Sequence, residues 1–325
     1  MSLVAVPPPP HRHTTMQRPM HRRQSNERWY VNNVSRLLAV AKKGWGLPVL
    51  AAAMLPVHAA ALDIDAAADA AESMMKLRCS LDPSQDVVAW WKGTLFQQET
   101  GKAPVPLMGF EGYNICRSEK QADGTWRMLS RELTFYRDLK TGQILESWDN
   151  PISGKRNTVV DVANDPVNQA FNPPGRPPMA LPWMKAGDRL MLTLNIPLSY
   201  PNPLQPDAFP LESSGPVYAG SEHFMFFASR KDMENPALKS VPLDYSWTRT
   251  GPWLPWMELG QRPGGLLYVA QGAKLDSLDD LPQDIRERVR TRYPQYAKAP
   301  AAWTQPNVTS WTYYRDLKHK PAAKD

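Results

Sequence analysis

Thr125-Trp126-Arg127-Met128-Leu129-Ser130-Arg131-Glu132-Leu133-Thr134-Phe135-Tyr136-Arg137, closed by Asp138-Leu139-Lys140-Thr141-Gly142, is the stretch that decides the fold. Arg131, Leu133, Phe135 and Arg137 alternate with Glu132, Thr134 and Tyr136. A period of two belongs to a strand, and the polar, glycine-ended segment behind it is a turn. The same texture runs outward in both directions. Strands are expected at 87–96 and 109–117 before it, and at 143–148, 157–163, 189–196, 221–229, 243–249, 265–271 and 309–315 after it. The short turns at 138–142 and 150–154 predict that 125–137, 143–148 and 157–163 form a meander.

Two segments read as helices. The Ala-rich 63–77 can be capped by Asp63 or Asp65; 282–293 opens on Pro282 and stops before Pro294. Between 171 and 216 stand eleven prolines. Little sheet is therefore expected there beyond 189–196. Loops this long serve as covers over a site or as irregular packing at a barrel mouth. The expected fold is mainly β: a single antiparallel, barrel-like domain over 62–316, of lipocalin-like or curved-sheet form. It carries long proline-rich loops, a short N-terminal helix and one C-terminal helix, and a charged tail, expected to be disordered, follows at 317–325.

Residues 1–61 read as a leader. Eight basic residues and one acid, Glu27, precede an apolar run at 46–57 and the small-residue stretch His58-Ala59-Ala60-Ala61. This is the order of a secretory signal peptide, and the run is too short for a spanning helix. A periplasmic or secreted protein with no stable membrane anchor after cleavage is expected, exported by the general or the twin-arginine route. The chain's net charge of +6 resides in the leader. The near-neutral remainder lacks the clustered basic surface that nucleic acid requires. Cys79 and Cys116 are the only cysteines. In an oxidising compartment they are expected to form a disulfide rather than remain thiols.

Four phrases are characteristic as a set: Gly109-Phe110-Glu111-Gly112-Tyr113-Asn114, Trp148-Asp149-Asn150-Pro151, Asn164-Asp165-Pro166-Val167-Asn168 and Pro306-Asn307-Val308-Thr309-Ser310-Trp311-Thr312-Tyr313. Through them the chain resembles, over roughly 80–316, the family catalogued as domain of unknown function 1838. The resemblance implies exported bacterial members and a β-rich body. It implies no reaction and no catalytic residues.

Only His223 and His319 remain beyond the leader, too few nitrogen ligands for a usual catalytic zinc site, so no metal is expected. No GxGxxG, P-loop or GxSxG occurs, and no cofactor is expected. Acid–base chemistry by ordinary side chains is left. Glu111, among Phe110, Met108 and Tyr113, is a candidate catalytic group whose desolvation would raise its pKa. Arg117 and Arg131 on neighbouring strands could hold an anionic substrate group beside it, or pair with it structurally. His223 is the second catalytic candidate if it lines a cavity; otherwise it is a hydrogen-bonded structural residue. Asn114 is a candidate ligand contact.

Ten of the twelve tryptophans lie beyond the leader. Trp253 and Trp256, with Tyr245 and Trp247, either fill a barrel or wall a ligand cavity. These readings converge on a pocket for a hydrophobic or aromatic small molecule, used by a cofactor-independent lyase, isomerase or hydrolase. Tyr113, Asn114, Arg117, Arg131, Tyr245, Trp247, Trp253 and Trp256 would contact the substrate. The alternatives are a carrier or sensor without turnover and a structural envelope component. Protein recovered from outside the cytoplasm is expected to begin at Ala60 or Leu62; intact-mass measurement checks this, and a mass retaining the leader contradicts it.

Overall fold

Alternation along the chain becomes alternation across a sheet. The computed structural model describes residues 61–319. The cleavage reading therefore falls outside the described residues, as does the tail from 320.

A helix α1 (Ala70–Arg78) leads into three long strands, β1 (Val87–Gln98), β2 (Val105–Lys120) and β3 (Trp126–Arg137). Five short strands follow: β4 (Ser147–Asp149), β5 (Arg156–Thr158), β6 (Val162–Asn164), β7 (Gln169–Phe171) and β8 (Met184–Ala186). Then come β9 (Arg189–Pro201), β10 (Val217–Ser229), a short helix α2 (Arg230–Glu234), β11 (Asp244–Gly251) and β12 (Gly265–Leu275). Helices α3 (Gln283–Arg292) and α4 (Ser310–His319) close the described chain. None of its helices is long and apolar enough to cross a membrane.

The protein is mainly β. Ten strands form one antiparallel sheet in the order β6-β3-β2-β1-β12-β11-β10-β9-β8, with β7 also pairing β3, while β4 and β5 make a separate hairpin. The edges at β6 and β8 are not joined to each other. The sheet is thus the open, curved form rather than a closed barrel.

Both faces of β2 and β3 are largely covered, so apolar residues occur on each side of these strands. On one face Val88, Tyr113, Ile115, Leu133 and Phe135 pack under Ile285 and Val289 of α3. Those two residues, four apart, form the helix's apolar stripe and contribute about 1.5–3 kcal/mol each. The other face is concave and carries Leu95, Phe110, Tyr136, Tyr218 and Tyr268 in a second core, which Trp253, Trp256 and Trp311 complete.

Two glycines permit this curvature. A Cβ on Gly112 would stand 2.2 Å from the Leu133 carbonyl oxygen; on Gly272 it would meet the Trp90 carbonyl oxygen and the Tyr245 ring, both at 2.4 Å. Tyr245 lies flat over Gly272, and its hydroxyl donates to the Trp90 carbonyl at 3.0 Å.

Four expectations are corrected. Segment 309–315 is not a strand but belongs to α4, although Val308, Thr309, Thr312 and Tyr313 favour β structure. Thr309 and Thr312 exchange backbone-to-hydroxyl hydrogen bonds of 2.8 and 3.2 Å, which cap the helix start. Leu317–His319 form its last turn rather than a tail. The meander is interrupted. After one bridge between Arg137 and Ile144 the chain leaves the sheet, makes the β4–β5 hairpin, and returns only at β6. Buried Asn150 holds that hairpin away by donating to Asn157 and to the Met257 carbonyl, each at 3.1 Å. Finally, β9 runs to Pro201, past the expected end at 196. Pro197 and Pro201 are tolerated because β8 covers only Arg189–Met191, leaving the rest of that side an edge.

Cys79 and Cys116 form the expected disulfide, with Cα atoms 6.1 Å apart. It fastens the end of α1 to β2. Replacing both cysteines by serine is expected to cost about 2–4 kcal/mol, read as a lowered Tm; an unchanged Tm contradicts the anchoring role.

Candidate functional site

Strand registers set the site. Across the concave face, side chains line up in rows. Glu132, Asn114 and Ala89 form one; Thr134, Gly112, Trp91, Gly272, Tyr245 and Phe226 the next. Tyr136, Phe110, Gly93, Ala270, Trp247 and Phe224 follow, and then Leu95, Tyr268, Arg249 and Glu222. Curvature brings β3 and β10 to face each other across a cavity of about 310 Å³ lined from both ends of these rows. That volume sits at the lower end of small-molecule sites. Its aromatic wall is continuous: Phe224 and Phe226 stack with centroids 5.5 Å apart, and Trp247 lies 6.2 Å from Phe224.

A cover is supplied by the chain's end. Residues 307–311, with Val162, Asn164, Val167 and Gln169, complete the lining. The Asn168 amide N–H donates to Asn307 Oδ1 at 2.9 Å, and Asn307 Nδ2 donates to the Asn168 carbonyl at 2.8 Å. The Val308 amide donates to the Pro166 carbonyl at 2.8 Å. Asn-rich turns here lock two distant segments together over the cavity.

Four side chains of the arginine and glutamate kind line the cavity: Arg78, Glu132, Glu222 and Arg249. Glu132 Oε1 accepts a hydrogen bond of 2.6 Å from Asn164 Nδ2. Burial raises the Glu132 pKa above the usual carboxylate value; the Asn164 hydrogen bond opposes this, and the Glu222 charge across the cavity adds to it. Arg249 Nη1 lies 3.5 Å from Glu222 Oε1, and its Nη2 donates to the Tyr218 hydroxyl at 2.5 Å. The guanidinium stands 5.6–5.9 Å from the rings of Tyr268, Trp311 and Tyr218. Burial raises the pKa of Tyr245 and of Tyr268, so both remain protonated donors.

Five buried polar atoms on lining residues have no partner among the described residues: Trp91 Nε1, Trp247 Nε1, Trp311 Nε1, Arg249 Nε and Asn164 Oδ1. Such a concentration of unmatched groups is unusual for a filled core. Among the described residues no three or more His, Cys, Asp or Glu side chains converge as metal ligands would.

The structure divides the residues singled out from sequence. Asn114, Tyr245 and Trp247 line the cavity. Glu111 does not. It points to the helix-covered face, where Arg137 Nε lies 2.7 Å from Oε2 and Trp90 Nε1 donates to Oε1 at 2.9 Å. Arg137 also pairs with Asp284 of α3. Glu111 is thus part of the clamp between sheet and helix, and its partner is Arg137 rather than Arg117 or Arg131. Tyr113, Arg117 and Arg131 share that face, where they donate to the carbonyls of Tyr296, Ala301 and Gln295.

His223 is exposed on the outer face of β10, its ring bonded to Asn195 Oδ1 and Ser221 Oγ at 2.9 and 3.3 Å. Four strand spacings, about 19 Å, separate its strand from that of Glu111. Trp253 and Trp256 are buried in the core. Trp253 Nε1 donates to the Arg262 carbonyl, and Trp256 packs edge-on against Tyr136 and Trp148. They fill, and do not wall the cavity.

Sequence reading passed over Arg78, Glu132, Glu222 and Arg249. A signal existed: Glu132 alternates in phase with Thr134 and Tyr136, and Glu222 with Phe224 and Phe226, so each is a lone carboxylate on an inward-facing apolar row.

An open, curled antiparallel sheet with an aromatic cavity on its concave face defines a β-rich protein of single-sheet architecture. The chain belongs to the family described as protein of unknown function (DUF1838), whose model matches residues 84–318. No curated protein matches it. Among solved structures, the crystal structure of MucB in complex with MucA(peri) is similar at 10% identity, covering 73% of this chain and 99% of that chain, with a TM-score of 0.10. At that score the likeness carries no argument.

Two carboxylates now separate by role. Glu111→Gln is expected to destabilise by about 1.5–3 kcal/mol, the worth of a buried charge-assisted contact. Glu132→Gln is expected to do the reverse. With its folded pKa raised, Glu132 gives full stability below the unfolded carboxylate pKa of about 4.3 and loses it as pH rises through the folded value. The glutamine variant should therefore gain on the parent between pH 4 and pH 7, on the order of 1 kcal/mol. Thermal unfolding at several pH values checks both; a constant difference for Glu132→Gln contradicts the buried-carboxyl assignment.

Proposed function

We propose that this is an exported protein that takes a hydrophobic or aromatic small molecule into the concave cavity and acts on it by proton transfer through Glu132, without a cofactor. One arrangement carries the reading: Glu132, whose carboxyl pKa is raised by burial, lines a cavity whose wall is largely aromatic. Holding such a group costs stability, and a stability cost concentrated in a cavity is the mark of a group kept for chemistry. A general acid or base needs a pKa near the working pH, and burial moves Glu132 in that direction.

Other groups fit supporting roles. Phe224, Phe226, Tyr245 and Trp247 offer flat apolar contact. Asn164 orients Glu132 through its amide, and Asn114, beside Glu132 in the same row, offers a neutral polar contact to the molecule being acted on. The Cys79–Cys116 bridge and the basic, apolar, small-residue order of the leader support export to an oxidising compartment.

Solvent extraction of purified protein, followed by mass spectrometry, is expected to recover an apolar compound from the parent. A Phe224→Ala, Trp247→Ala double variant should lack it. Glu132→Gln should retain the compound and convert it about 10²–10⁴-fold more slowly. Equal recovery from the double variant defeats the binding reading. Undiminished conversion by Glu132→Gln defeats the acid–base assignment and leaves a carrier.

A further inference from the structure

Arg78 is the one cavity-lining cation with no carboxylate at ion-pair distance among the described residues. Glu222 has Arg249 at 3.5 Å. Glu132 is held by Asn164. Arg78 has no carboxylate within 4 Å among the described residues; its sole side-chain hydrogen bond is from Nη1 to Gln169 Oε1, at 2.5 Å. Its guanidinium carbon lies 5.9 Å from the Phe226 ring centroid. A guanidinium presents five N–H donors in a planar fork. Here one is matched by a neutral amide oxygen. Nε and Nη2 have no acceptor among the described residues, neither is fully buried, and the residue lines the cavity.

The cation is fixed in position. Cys79, the next residue, is bonded to Cys116 on β2. On the far side of the helix end, Lys274 Nζ donates to the carbonyls of Lys76 and Cys79 at 3.0 and 2.9 Å and to Ser240 Oγ at 2.9 Å. Lys274 is thereby committed to closing α1 and does not compete for a ligand. Burial, and next the Arg78 charge, pull the Lys274 pKa down to about 7. Burial likewise pulls Arg78 down to about 10.

We propose that the molecule bound in this cavity is an apolar acid, with a hydrocarbon body against the aromatic wall and a carboxylate on the Arg78 fork. The assignment rests on the binding reading given above and narrows it. A carboxylate matches the fork in two parallel hydrogen bonds and supplies the missing opposite charge. Phe226 touches both regions, so head and body are joined over a distance that a small aromatic or medium-chain acid spans.

The test compares matched pairs that differ only in the head: 2-naphthoate with 2-naphthylmethanol, and dodecanoate with dodecanol. Binding to the full chain is measured by tryptophan fluorescence and calorimetry at pH 7.5. In at least one pair the acid is expected to bind about tenfold or more tightly than the alcohol, the worth of a charge-assisted contact. Arg78→Gln is expected to erase that difference while leaving alcohol affinity unchanged. Because Arg78 adjoins the disulfide, Arg78→Lys provides a second variant. It keeps a cation at the site and should retain an acid preference that Arg78→Gln loses.

Acid and alcohol binding the parent equally would overturn the anion assignment and leave the apolar cavity standing. An acid preference that survives Arg78→Gln would overturn the role of Arg78. Failure of all four compounds to bind would overturn the binding reading itself, and the assignment with it.

Discussion

A broad antiparallel sheet hides one of its faces only by curling over it, and curling demands positions without side chains. In this protein Gly112 and Gly272 occupy the same transverse row, with Trp91 between them and Tyr245 lying over the second. Larger residues there would collide with neighbouring backbone at little more than 2 Å. The bend they allow turns β3 toward β10. It makes Glu132 and Glu222, five strand spacings apart in the sheet order but facing in space, members of one enclosure. Without that bend the aromatic rows would be an exposed apolar face, not a container.

The two faces of the sheet then take different burdens. The face under α3 is mechanical. Glu111, Arg137 and Asp284 form a charged clamp there, while Asp161 with Arg288 and Tyr293 forms a second. Glu111 and Asp161 are buried there and ion-paired with Arg137 and Arg288, although Asp161 Oδ1 has no hydrogen-bond partner among the described residues. The concave face has one ion pair among the described residues, Glu222 with Arg249. Its polar atoms are few, set among aromatic rings, and several are unmatched.

Much of this architecture could be read from the residues. The period-two runs at 87–96, 109–117, 125–137 and 221–229 all became strands, the Pro282-to-Pro294 segment became α3, and the two cysteines became a bridge. What escaped the reading was the assignment of faces to function. Alternation states that Glu111 and Phe110 look in opposite directions, but not which direction holds a helix and which a hollow. Glu111 was conspicuous because aromatics flank it in sequence; in a strand, flanking residues are on the other face, and the relevant neighbours are two positions away. The same rule explains why His223 stands outside while Glu222 faces inward. The 309–315 segment failed for a different reason: its β-branched residues are helix caps and lid contacts, and capping is decided by a local exchange between Thr309 and Thr312 that composition does not reveal.

Helix α1 is held at its C-terminal end. Its terminal turn is tethered covalently through Cys79, and the residue immediately before that tether is Arg78. Severing the sulfur–sulfur link would remove one of two ties on this end of the helix, leaving the hydrogen bonds from Lys274 to the carbonyls of Lys76 and Cys79 to hold Arg78 against the cavity.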